Sequence, residues 1–132
     1  IQKIRFNGNF SYDVELPLEL EDCMVPKMII QPIVENAIIH GLKERENGHI
    51  FINIYEEREM LCIEVYDDGS GMDQTILGLL QERNREELKG HIGFYNVDTI
   101  IRLHYGTQYG LYAENQAEGG AKVRVTLPVV RV

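Results

Sequence analysis

Apolar and polar positions change period several times along this chain, and each change marks a predicted element. "KIRFN" and "FSYDVEL", on either side of Gly8, read as an opening strand pair. From Pro26 to His40 the apolar residues Ile30, Ile33, Val34, Ala37 and Ile38 recur at helical spacing. Pro26 suits the first turn of that helix and Gly41 its C-terminal cap. "HIFINIYEE" and "MLCIEVYDD" then alternate with period two about a short polar turn, which predicts a hairpin. "MDQTILGLLQERNREELK" has helical propensity and becomes strongly charged in its second half. "IGFYNVDTIIRLHYG" returns to helical spacing and stops at Gly106. "YGLYAEN" and "AKVRVTLPVV" predict a second hairpin turned by "QAEGG". The order ββ-α-ββ-α-α-ββ predicts an α+β fold: a mixed, mostly antiparallel sheet with about three helices on one face, a two-layer α/β sandwich.

Composition narrows this picture. A chain of 132 residues is one compact domain, large enough to bury roughly two thirds of its unfolded surface without disulfide staples. A hydrophobic fraction of 44% and a charged fraction of 26% are those of an ordinary globular protein. The formal net charge of −8 argues against nucleic acid or direct membrane contact, since both would be repelled over most of the surface. An anionic ligand would have to be held by local backbone dipoles or a metal. Cys23 and Cys62 lack metal-binding spacing and lie in apolar contexts, so both are expected as buried, reduced thiols. No apolar run approaches the ~20 residues that span a bilayer. The chain begins at Ile1 rather than Met, so it is expected to be a fragment of a longer parent, a membrane-bound one included.

Four stretches could carry chemistry. On the helix at 26–40, Asn36 and His40 fall one turn apart on one edge of the apolar stripe, with Gln31 and Glu35 on the other. An Asn there can offer its carbonyl oxygen to a hard cation such as Mg²⁺, which keeps several waters; it can equally bond backbone or solvent. "DDGSGM", residues 67–72, ends an apolar strand. It is not a dinucleotide fingerprint, because the third glycine position holds Gln74 and two acids precede the turn. Nor is it a calcium loop, since the twelfth position from Asp67 is Gly78 rather than Glu. An acid at a strand end can accept from an amino group, such as the exocyclic amine of adenine. "GHIGFYN", residues 90–96, puts two glycines just before a helix, where free amides can meet phosphate; a plain connecting loop has the same pattern. "QERNREELKG", residues 81–90, is either a solvated helix face or a cover over a ligand.

Taken together, these pieces resemble the catalytic, ATP-binding domain of LytS/YesM-like sensor histidine kinases, members of the GHKL (Bergerat-fold) ATPases. "VPKMIIQPIVENAIIHGL" is similar to the family's N box, "VYDDGSGM" to its first glycine box and "GHIGFYNVDTIIRLHYG" to its second. "GGAKVRVTLP" resembles the closing strand, and the likeness extends back through "RFNGNFSYDVELP". Each box alone is a weak signal; all of them in order and at this spacing are specific.

The resemblance implies that Asn36 coordinates the Mg²⁺ bridging the ATP phosphates, with His40 beside it. Asp67 would accept from the adenine amine, with Gly69 and Gly71 shaping the pocket floor and Met72 completing it. Gly90 and Gly93 would let amides meet phosphate, Ile92 and Phe94 lying within the same box. Residues 73–89 would form the ATP lid. The implied partners are a helical dimerisation and phosphoacceptor domain of the parent and, indirectly, a response regulator. The implied location is the cytoplasmic domain of a membrane-anchored bacterial sensor.

Departures from the pattern bear on affinity and turnover rather than on fold. Ile39 stands where many relatives carry Lys, Ile100 where Arg is frequent, Ala121 where Thr is common, and Glu118 where Gly is usual. They motivate an alternative, a degenerate nucleotide-binding or protein-docking module without phosphotransfer. Pro32 occupies the position of the hydrolytic base in the family's hydrolase branch, so hydrolysis is not expected. "HIFIN", residues 49–53, looks like a phosphoacceptor motif but follows the N box and alternates like a strand, so His49 is expected to be structural. Glu35 points about 100° away from Asn36 and is given no catalytic role.

Overall fold

The computed structural model describes residues 2–6, 10–38, 48–69, 71, 72, 74, 77, 78 and 92–131, with backbone alone for 2–6, 10–12, 27, 28 and 92–95. Within them lie six strands, β1 (Gln2–Phe6), β2 (Phe10–Glu15), β3 (Gly48–Glu57), β4 (Met60–Asp67), β5 (Gly110–Asn115) and β6 (Ala121–Pro128). Two helices accompany them, α1 (Lys27–Asn36) and α2 (Ile92–Tyr105), with a 3₁₀ turn at Leu18–Leu20. The strands form one sheet in the order β1-β2-β3-β4-β6-β5. Four pairings are antiparallel; β2 and β3 run parallel, which a crossover through α1 permits and a hairpin would not.

Strand alternation decides the two faces. Ile50 and Ile52 of β3, Leu61, Ile63 and Val65 of β4, Val123, Val125 and Leu127 of β6, and Leu111 and Ala113 of β5 are buried in one core cluster. Ile29, Ile33 and Ala37 reach it from the first helical segment, and Val97 and Ile101 from α2. The helical row at 29, 33 and 37 is therefore the innermost one. Ile30, Val34 and Ile38 flank it half-buried, and Ile29, not picked out by the apolar spacing, is fully buried. The exposed side of α1 carries Gln31, whose Nε2 donates to Glu35 Oε1 at 2.8 Å, one turn on. These two residues meet water, as their edge position predicts.

The helix boundaries follow local chemistry. Pro26 stands at the N-cap with an extended ψ of 130°, one residue earlier than a first-turn proline. After Asn36 the chain widens into a π-type turn at Ala37 and Ile38; the expected cap at Gly41 lies outside the described residues. α2 ends at Tyr105, and Gly106 takes φ +111°, a conformation that favours glycine. The β3–β4 hairpin turns on Arg58 and Glu59, both at positive φ (52° and 65°), as a two-residue primed turn requires. The third expected helix falls almost wholly outside the described residues.

The outer face of the sheet carries polar groups that pair largely with one another, although Asp13 Oδ1 is buried with no hydrogen-bond partner among the described residues. Glu64, 6% exposed, accepts from Tyr55 Oη at 2.9 Å and Tyr66 Oη at 2.8 Å. Lys122 Nζ lies 2.8 Å from Glu114 and 3.8 Å from Glu64, over the ring of Tyr66, and Arg124 stacks over Tyr112. Burial, reinforced by the Glu64 carboxylate, pushes the Tyr55 and Tyr66 hydroxyls up to about 12. Both cysteines are free thiols; Cys62 is buried, whereas Cys23 is only half-buried, against the buried expectation. His49 sits in β3 with Nε2 3.0 Å from Asp13 Oδ2, a structural setting consistent with its strand pattern.

Candidate functional site

The end of β4 gathers the best-defined part of the site. Asp67 is the last residue of that strand and half-buried, and its Oδ1 accepts from Gly69 N at 2.9 Å and from Ala121 N at 3.3 Å. The first bond closes a local turn through the side chain, the geometry for which Asp is favoured before a Gly. The second ties the turn to the first residue of β6. Among the described residues no protein donor reaches Asp67 Oδ2. Burial raises the Asp67 pKa above its ordinary 3.8, the two amides pull it down, and neighbouring Asp68 adds a smaller upward push. Asp68 turns away and accepts from His49 N at 2.9 Å.

Beyond Asp67 the turn is held by residues distant in sequence. Gly69 is buried, Gly71 takes φ +90°, and half-buried Met72 packs against the core. Met72 N donates to Asn115 Oδ1 at 2.7 Å, and Asn115 Nδ2 donates back to Met72 O at 3.2 Å. The β5–β6 turn approaches from the other side. Gly120, at φ +83°, comes so close that a Cβ there would lie 1.9 Å from the Asp67 carbonyl oxygen. The spacing of the glycine-rich stretch identified the turn; nothing local identified Asn115 or Gly120 as its clamps.

The remaining predicted residues are placed as follows. Asn36 is the last residue of α1 and half-buried, immediately before the π-type turn. Ile92, Gly93 and Phe94 open α2, which packs against α1. Among the described residues no hydrogen bond or ion pair joins Asn36 to Asp67. His40, Gly90, Ile39 and residues 79–89 of the predicted lid lie outside the described residues. Of the described departures, Ile100 is half-buried against the core, Glu118 is exposed in the β5–β6 turn, and Ala121 still gives its N–H to Asp67. Pro32 sits inside α1 with no acid in its place.

A buried carboxylate on α2 fixes this helix to the sheet. Asp98, 6% exposed, accepts from Leu111 N at 3.0 Å and from Arg102 Nε at 3.1 Å. Arg102 in turn donates to Thr107 O at 3.2 Å. This is the strut that sets where the start of α2 stands relative to β5, and the mixed polar pattern of the helix did not single it out.

The donor set bears on what could be held. Among the described residues no group of three or more His, Cys, Asp or Glu could bind a metal. A divalent ion here would need oxygens from a ligand and water, with an amide such as that of Asn36 as one protein donor. The Asp67 carboxylate is half-buried and its Oδ2 meets no donor among the described residues, so it could accept from an amino-bearing base. Among the described residues no helix is long and apolar enough to cross a membrane.

Comparison with known proteins bears on the family and the fold. Residues 22–131 match the family model described as histidine kinase-, DNA gyrase B-, and HSP90-like ATPase. The chain is 32% identical over 129 residues to the sensor histidine kinase YesM of Bacillus subtilis, covering 97% of this chain and 21% of that protein. It is 31% identical over 132 residues to the sensor protein LytS of Streptococcus agalactiae, covering 97% of this chain and 22% of that protein. It thus spans about a fifth of the length of these curated relatives. Among solved structures, the catalytic domain of histidine kinase ThkA superposes with a TM-score of 0.60 at 21% identity, over 80% of this chain and 67% of that one. The blue-light activated histidine kinase of Erythrobacter litoralis gives 0.63 at 16% identity, over 93% of this chain and 36% of that one. These two likenesses concern the fold, an open α/β sandwich. With a family model matching residues 22–131, most of its length, this chain belongs to the histidine kinase-, DNA gyrase B- and HSP90-like ATPases.

Proposed function

We propose that this domain binds Mg²⁺–ATP at the end of β4 and passes the γ-phosphate to a histidine on a separate helical dimerisation and phosphoacceptor domain. The parent would be a membrane-anchored bacterial sensor with this domain in the cytoplasm, serving a response regulator indirectly. Asp67 carries the reading. Its Oδ1 is saturated by two backbone amides, and its Oδ2 has no protein donor among the described residues. That is an acceptor poised for an amino group, which adenine supplies and guanine does not at the same position.

The other residues take roles around this anchor. Gly69, Gly71 and Met72 form the floor beneath the base. Asn36 would offer its amide oxygen to the Mg²⁺, and His40, which lies outside the described residues, is assigned to the phosphates beside it. Gly90, Ile92, Gly93 and Phe94 bring the start of α2 to the phosphates, where free amides stabilise negative charge. Residues 73–89, most of them outside the described residues, are assigned as the cover over the nucleotide. A domain with net charge −8 repels ATP at long range, so amides and metal must act locally. Mg²⁺, when bound, neutralises charge on the phosphate oxygens. In the transfer, a ring nitrogen of the acceptor histidine forms a bond to the γ-phosphorus as the bond to the β,γ-bridging oxygen breaks, releasing ADP. This domain contributes positioning; no side chain within it is assigned as acid or base.

Calorimetric titration with a non-hydrolysable ATP analogue and Mg²⁺ tests the pocket. Wild type should bind saturably. Asp67→Asn, whose carboxamide NH₂ would face the donating amino group of adenine, should bind roughly 10- to 100-fold more weakly, the cost of one hydrogen bond to a charged group. No binding by folded wild type would refute the proposal. Phosphotransfer to a supplied acceptor domain, lost in Asn36→Ala, tests the second half.

A further inference from the structure

The nucleotide reading gives roles to residues on β4, α1 and α2, and none to β5. Yet the 67–72 turn is closed at its far end by Asn115, the last residue of β5. We infer that Asn115 is a positioning residue that holds this turn in its base-binding shape; the inference rests on the nucleotide reading above. Three observations carry it. First, the Asn115 amide engages both the N–H (2.7 Å) and the C=O (3.2 Å) of Met72, across 43 residues of sequence. A side-chain amide used this way replaces a strand partner the turn does not have. Second, the register lines up the two clamps. Tyr66 pairs with Lys122 and Lys122 with Glu114, so the next row runs Asp67, Ala121, Asn115. Ala121 is paired with Asn115 and also donates its N–H to Asp67. One row of the sheet thus grips both ends of the turn, through Asp67 at the start and Asn115 at the end.

Third, Asn115 explains a glycine. A Cβ at Gly71 would lie 2.9 Å from Asn115 Oδ1 and 3.2 Å from its Cγ, and the residue has φ +90°. The sequence motif suggests Gly71 for close approach of ligand; the structure shows that a side chain there would also crowd the Asn115 amide, which would have to shift off Met72. Losing the clamp frees Met72, and with it the floor opposite Asp67, without touching the core residues of β4 and β6.

The test pairs binding with local hydrogen exchange on the whole domain. Asn115→Ala should weaken binding of the Mg²⁺–ATP analogue about tenfold, equivalent to ~1.4 kcal/mol. The Met72 amide should exchange at least tenfold faster, while the Ile63 and Val125 amides keep their wild-type rates. Asn115→Asp, which keeps the acceptor for Met72 N–H and loses the donor, should fall between. Gly71→Ala should cost less affinity in the Asn115→Ala background than in wild type, because the clash partner is gone. Wild-type affinity in folded Asn115→Ala would overturn the inference and leave the nucleotide reading intact. Equal acceleration of the Ile63 and Val125 amides in both Asn115 variants would also overturn it, by making Asn115 a residue of global stability. Wild type that fails to bind the analogue would instead sink the nucleotide reading itself.

Discussion

Gly119 and Gly120 offer an internal control on how the β5–β6 turn supports the site. Both have positive φ, +107° and +83°, and the turn is closed by Gln116 N donating to Gly120 O at 2.8 Å and Gly119 N donating to Gln116 O at 3.1 Å. A Cβ on Gly119 meets nothing within 4 Å, so Gly119→Ala costs only the left-handed backbone, about 1–2 kcal/mol. A Cβ on Gly120 would lie 1.9 Å from the Asp67 carbonyl oxygen, 2.8 Å from its carbon and 3.1 Å from Asp68 Cα. All three are backbone atoms, so no side chain can rotate aside; the end of β4 and the turn must separate. Overpacking of this kind adds about 1–3 kcal/mol, making Gly120→Ala about 2–5 kcal/mol destabilising in all. Against a total stability of roughly 5–15 kcal/mol this is a large loss. Urea unfolding of the two variants, with m-values held equal, measures the difference directly. Because the displaced carbonyl belongs to Asp67, Gly120→Ala should also weaken the ATP analogue more than Gly119→Ala does. Losses that agree within about 0.5 kcal/mol, the usual scatter of surface changes, would refute the close approach and its link to the site.

Three further outcomes follow from the same structure. Asp98→Ala should cost about 3–5 kcal/mol in urea unfolding, since it takes the buried counter-charge from Arg102 and the carboxylate oxygen from the Leu111 amide; Asp98→Asn, which keeps an oxygen for Leu111, should cost about 1–2 kcal/mol. In an alkaline ultraviolet titration, two of the seven tyrosines, Tyr55 and Tyr66, should ionise late, near 12 rather than 10. With folded pKa values raised above the unfolded one, their contribution is fully present below pH 10 and is lost as pH rises towards 12; Glu64→Gln should move both part of the way back, burial remaining. Replacing Arg58–Glu59 by Asn–Gly should raise stability by about 1 kcal/mol, because φ values of 52° and 65° suit those residues better; an unchanged denaturation midpoint would count against a primed turn there.

How much of this was legible without coordinates differs between residues for physical reasons. Strands β3 and β4, the helix ending at Gly106 and the hairpin about "QAEGG" were readable because burial on one face imprints a period on the chain itself. The Asp67–Gly69 turn was readable too, since the bond that shapes it spans two residues. Asn115, Gly120 and Asp98 were not, because each meets a backbone group remote in sequence: Asn115 acts on Met72 across 43 residues, Asp98 on Leu111 across 13, and Gly120 lies against the Asp67 carbonyl. The parallel pairing of β2 with β3 and the placement of β6 between β4 and β5 carry no local signature either. By itself the sequence determined the strands, the two described helices and the strand end on which the carboxylate sits, all properties of neighbouring residues. Only the tertiary structure decided which side chains hold that strand end in shape, because sheet order, not sequence distance, sets which backbone groups come within hydrogen-bonding reach.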